Sequence, residues 1–99
     1  MRTAARIDLN QPEIVAALRK IGATVQHLHT IGAGCPDILV GYRGQNILME
    51  IKMPGKAYQL TPDEFLWHAA WQGSVWVVRS PAEAVAAVVG RLREAVEQE

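Results

Sequence analysis

The chain has 99 residues, about half of them hydrophobic, and ten basic residues balance ten acidic ones. That suits one folded domain near the lower size limit for a self-sustaining core; it is too apolar for disorder, and no apolar run approaches the roughly 20 residues of a membrane span. Zero net charge counts against tight non-specific nucleic-acid binding by a monomer. The lone Cys35 rules out an internal disulfide, and Arg2, Arg6 and Asp8 interrupt any secretory apolar region, so a reducing cytoplasm is the expected location.

Residues 1–9 carry two arginines without periodicity and read as an arm or a disordered start. Asn10-Gln11-Pro12-Glu13 then opens a helix, with Asn10 as N-cap and Glu13 at N3 completing a capping box. Ile14, Val15, Leu18 and Ile21 recur at helical spacing, and Gly22 stops the run. Thr24 to Thr30 alternates as a first strand carrying His27 and His29 on one face. These histidines line a wetter face or a groove edge; a soft-metal site with Cys35 and His68 is the alternative, but metal-ligand spacing is missing. Ile31-Gly32-Ala33-Gly34 lets the backbone pass close to something.

Ile38–Tyr42 and Ile47–Met53 read as two strands of a hairpin, rich in Ile, Leu, Val and Met. Pro54-Gly55 breaks the second strand, and Thr61-Pro62-Asp63-Glu64 is a capping box that starts a helix running to about Gln72. Phe65, Leu66, Trp67 and Trp71 nearly encircle that helix; core packing is the expectation for any one of them, and the remainder would form a dimer seam. Ser74–Arg79 is a central strand, and Ser80-Pro81-Ala82-Glu83 caps a last helix reaching about Glu97. Val85, Val88, Val89 and Leu92 form its apolar stripe, with Arg91, Arg93 and Glu94 on the solvated side. The resulting order is helix, three strands, helix, strand, helix: an α/β fold with the last two strands joined by a crossover.

Three charges interrupt the apolar hairpin: Asp37, Glu50 and Lys52. Charges are rarely buried in strands without a task. Glu50 and Lys52 are two apart and share a face, while Ile51 points into the core. A two-residue loop at Arg43-Gly44 places Asp37 opposite Glu50; a four-residue loop, Arg43 to Asn46, places it opposite Lys52. Either gathers the three on one face, whereas an unbulged three-residue loop disperses them. Neighbouring carboxylates need a shared proton or a divalent cation, and oxygen ligands beside a lysine favour Mg²⁺ or Mn²⁺. Phosphodiester hydrolysis is the chemistry that fits, with Lys52 orienting water or offsetting developing charge.

Pro36-Asp37, twelve intervening residues and Glu50-Ile51-Lys52 resemble the Pro-Asp…(Asp/Glu)-x-Lys signature of the restriction-endonuclease-like nucleases. The wider order is similar to the stand-alone virus-type replication-repair nuclease domain: a Glu-bearing first helix, Gly34-x-Pro-Asp, Glu-x-Lys, Leu60-Thr61-Pro62, Trp71-Gln72-Gly73 and Val77-Val78-Arg79-Ser80. The resemblance spans about residues 11 to 89. It implies a restriction-endonuclease-like αβββαβ core with a C-terminal helix, a mixed central sheet flanked by helices, in a single domain over 1–99. It implies a Mg²⁺- or Mn²⁺-dependent DNA endonuclease in which Asp37, Glu50 and Lys52 are catalytic. Asp37, Glu50 and the Ile51 carbonyl would hold the ion, with Glu13 as an outer ligand or only a helix cap. A homodimer acting on branched or junction DNA is the expected form, without membrane or nucleotide cofactor. Arg2, Arg6, Arg43, Lys56 and Arg79 are candidates for a basic rim or for scattered solubilising charges. Relatives often carry glutamine where Glu64 stands; Glu64 reads here as structural, which leaves the helix's contribution to the site open, with Gln59 of the preceding loop as one alternative to it. The rival readings are a non-cutting nucleic-acid-binding subunit and a structural salt-bridge cluster of Asp37, Glu50 and Lys52.

Overall fold

The computed structural model describes residues 9–55 and 58–97, with side chains described through Gly90. The expected N-terminal arm, the rim candidates Arg2, Arg6 and Lys56, and the stripe beyond Val89 lie outside the described residues or side chains. Seven elements follow in order: α1 (Gln11–Lys20), β1 (Thr24–His27), β2 (Ile38–Tyr42), β3 (Gln45–Ile51), α2 (Pro62–Ala70), β4 (Val75–Val78) and α3 (Pro81–Glu97). The chain is therefore α/β, with three helices and a four-stranded mixed sheet.

The sheet order is β1-β2-β3-β4. β1, β2 and β3 pair antiparallel, whereas β4 joins β3 parallel after the crossover through α2. Arg43 and Gly44 form the whole loop between β2 and β3, with Tyr42 facing Gln45 and φ values of 48° and 83°. Two consecutive left-handed residues make a type I′ turn, whose twist matches the strands it joins. β3 consequently starts two residues earlier than the hydrophobic pattern suggests. β1 is shorter than expected, because the chain turns back after the amide of Leu28 makes a last 2.8 Å bond to the Asp37 carbonyl.

One face of the sheet carries the core. Ile38, Val40, Ile47, Met49, Ile51 and Val78 meet Ile14 and Leu18 of α1 and Ala84, Ala87 and Val88 of α3. Each large side chain so buried contributes about 1.5–3 kcal/mol. α1 ends in a Schellman motif: Ala23 N–H reaches the Leu18 carbonyl and Gly22 N–H the Arg19 carbonyl, both at 3.0 Å, with Gly22 at φ 95°.

Two expectations fail at the helices. The capping box at the start of α1 does not form, because Asn10 makes no side-chain cap bond. Its amide instead donates to the carbonyls of Lys52 (3.1 Å) and Arg79 (3.0 Å), which lie past the ends of β3 and β4. Acceptors from the tertiary fold outcompete the local one. The aromatic residues of α2 also do not enter the core: α2 buries no residue, and Phe65 and Leu66 are 61% and 65% exposed. Trp67 and Trp71 stack on each other instead, centroids 4.6 Å apart.

Candidate functional site

Glu50 and Lys52 leave β3 on the side opposite Met49 and Ile51, away from the α1–α3 core. Glu50 is nevertheless only 3% exposed. The ladder pairs Ile38 with Met49, and the amide of Asp37 also donates to the Met49 carbonyl at 3.0 Å. Asp37 thus enters as the extra residue of a β-bulge. Its Oδ2 accepts the Ile51 N–H at 2.7 Å, supplying an acceptor where β2 has ended. The Ile51 carbonyl leaves the strand on that same side, since both polar groups of a strand residue point one way. The sequence-predicted trio is therefore brought together around the end of β3.

A fourth group joins them. Glu64, in the first turn of α2, accepts from Lys52 Nζ at 2.8 Å, while Glu50 Oε2 stands 3.7 Å from the same nitrogen. Glu64 does form its capping box, its Oε1 taking the Thr61 N–H at 2.9 Å and its amide donating to Thr61 Oγ1 at 3.2 Å. Its purely structural reading is thus incomplete. Gln59, the substitute considered from sequence, is exposed. α2 is held here by close backbone contact: Gly34 lies at φ 85° against the Asp63 carbonyl and Glu64 amide, where any Cβ would collide. This is the close approach that the glycine-rich stretch foreshadows.

Burial, then the charges of Asp37 and Glu64, push the Glu50 carboxyl up to about 9 despite the opposing pull of Lys52. Glu50 Oε1 is buried with no hydrogen-bond donor among the described residues. Burial works against charge at Glu64 too, but the bonds from Lys52 and the Thr61 amide outweigh it and hold its carboxyl below the usual range. The proximity of the two carboxyls acts in opposite directions, favouring the protonated form of Glu50 and the charged form of Glu64. Cys35 lies close enough that burial, then Glu50 and Asp37, raise its thiol. His68 stands one turn after Glu64; burial depresses its imidazole, Glu64 offsets this and Lys52 adds to it.

No family model, curated protein or solved structure matches the chain.

Among the described residues, no group of three or more His, Cys, Asp and Glu is placed to hold a metal ion. The soft-metal alternative is accordingly absent there: the His27 and His29 rings meet edge-on at 6.0 Å, and His27 Nδ1 bonds Gln11 Nε2 at 3.2 Å. A hard-ion set of two carboxylates and a main-chain carbonyl is a different arrangement. The orphaned Glu50 Oε1, in reach of the Asp37 carboxylate's charge, fits a divalent cation of that kind. Glu13 sits on the exposed side of α1, and no described bond joins it to the cluster. Arg43 occupies the hairpin turn, roughly a strand's length, about 20 Å, from Glu50. Arg79 is at the site's end of the sheet, where its guanidinium pairs with Glu83 at 3.7 Å and lies over Tyr58 at 5.9 Å. No helix among the described residues is long and apolar enough to cross a membrane.

Proposed function

We propose that the domain is a divalent-metal-dependent DNA endonuclease with a restriction-endonuclease-like core. One observation carries the reading: a buried carboxyl, Glu50, with an unserved oxygen, set beside Asp37 and Lys52 at the end of a strand. The order and pairing of the elements agree with what the Pro-Asp…Glu-x-Lys resemblance implies. Asp37, Glu50 and the Ile51 carbonyl would hold Mg²⁺ or Mn²⁺. Bound there, the ion supplies Lewis-acid polarisation of a phosphoryl oxygen and a lowered pKa for a water.

The chain's own residues do the rest. Asp37 fixes the Ile51 backbone through its 2.7 Å bond and so sets the direction of the Ile51 carbonyl. Lys52 places its ammonium beside Glu50, where it offsets charge that develops on a phosphate during attack. A homodimer cutting both strands of branched or junction DNA belongs to the same proposal, with exposed Phe65 and Leu66 of α2 as its apolar seam.

A structural ion cluster is the second reading, favoured by the Lys52–Glu64 pair and by the use of Asp37 to bind a backbone amide. Incubation with supercoiled plasmid and with four-way junction DNA, in Mg²⁺ or in EDTA, separates the readings. Metal-dependent nicking is the expected result. A mobility shift without cutting would replace the enzyme by a binding subunit, and neither would leave the ion cluster.

A further inference from the structure

Resting on that nuclease reading, we infer that Glu64 is a positioning residue, holding the Lys52 ammonium in place beside Glu50. Lys52 carries its charge on a flexible four-carbon stem, so the strand alone does not fix where Nζ stands. The Glu64 carboxylate on α2 stands nearer to it than that of Glu50, at 2.8 Å against 3.7 Å. A 2.8 Å charge-assisted bond is the stronger restraint of the two.

Glu64 is itself held rigidly. Its Oε1 also accepts the Thr61 N–H at 2.9 Å, and its own backbone amide packs against Gly34, where no side chain fits. The chain runs from Gly34 through Cys35 and Pro36 to Asp37. One short segment therefore sets Asp37 directly and sets Lys52 indirectly, through the first turn of α2. If the turn moved, the acid and the amine would lose their common reference.

Two substitutions divide the task. Glu64→Gln keeps a carbonyl oxygen able to accept from both Thr61 N–H and Lys52, while Glu64→Ala removes it. Glu83→Ala removes the equivalent acid from the start of α3, which bonds the Arg79 amide rather than the Lys52 ammonium, and controls for the loss of a cap. Each variant is assayed for kcat and KM on supercoiled plasmid and junction DNA, and the Lys52 side-chain ¹⁵N resonance is recorded without DNA or metal.

Glu64→Ala should lower kcat by about 10–100-fold with KM little changed, and should broaden or shift the Lys52 resonance. Glu64→Gln should recover most of that kcat and a parent-like resonance, and Glu83→Ala should lose stability without losing kcat. The inference is overturned if Glu64→Ala cuts as fast as Glu83→Ala, or if its Lys52 resonance stays at the parent position. Should the parent itself not cut DNA, the nuclease reading fails, and the resonance still decides whether Glu64 holds Lys52.

Discussion

Helices α2 and α3 begin with the same chemistry, Thr61-Pro62-Asp63-Glu64 and Ser80-Pro81-Ala82-Glu83, and end in different surroundings. In both, the hydroxyl takes the amide of the glutamate, at 3.2 Å and 3.1 Å. α3 then presses Ala84, Ala87 and Val88 into the core, whereas α2 buries nothing. The glutamates diverge too. Glu83 takes the Arg79 amide at 2.8 Å and pairs loosely with its guanidinium at 3.7 Å, half exposed; Glu64 reaches across to Lys52. A cap is a local decision, and the helix it starts can be held afterwards by apolar burial or by one polar turn.

The largest effect that would break this contrast lies at the polar end. Lys52→Ala should lower the cleavage rate by about 10²–10³-fold while the far-UV circular dichroism is retained; parental activity in that variant would remove Lys52 from the mechanism. Next comes packing. Val88→Ala in α3 should cost about 2 kcal/mol in urea unfolding, against under about 0.5 kcal/mol for Phe65→Ala in α2. Equal losses would mean that α2 is packed as firmly as α3.

A pH series sharpens the comparison further. Glu50 binds its proton more tightly folded than unfolded, so the native chain holds a proton that the unfolded chain has released above about pH 4.5. Stability without metal should therefore fall as pH rises from about 5 towards 9, and Glu50→Gln should flatten the trend. Thermal melts of both across that window check it, and an unchanged slope in the variant would move its origin elsewhere. The smallest effects belong to the caps: Thr61→Ala and Ser80→Ala should each cost about 1 kcal/mol, measured by chemical denaturation.

Much of this architecture was legible from local chemistry. The spacing of Glu50 and Lys52 put them on one face whatever the register, and Arg43-Gly44 forms the shorter of the two loops that the sequence allowed. The hydroxyl caps at Thr61 and Ser80 read correctly because those bonds span only three residues, although only Thr61 completes the box, since Glu83 takes the Arg79 amide instead of that of Ser80. What escaped the sequence is long-range. The bulge at Asp37 depends on a carbonyl of another strand, and Asn10 abandons its cap for acceptors 42 and 69 positions away. Glu64 satisfied a local rule so well that its bond to Lys52 left no trace in the pattern. The exposure of Phe65 and Leu66 was hidden likewise, since an aromatic-rich helix looks the same whether or not a sheet lies beneath it.

The clasp made by Asn10 bears on how the protein can be trimmed. β3 and β4 run side by side in the same direction, and beyond their last ladder bonds one amide side chain ties their exits together. Asn10→Ala would retain the whole of α1, the entire sheet and the side chains of Asp37, Glu50, Lys52 and Glu64. It would lack the stitch that reinforces the 3.0 Å bond from the Lys52 N–H to the Val78 carbonyl. Any shortened version worth assaying for activity therefore keeps Asn10 ahead of the first helix.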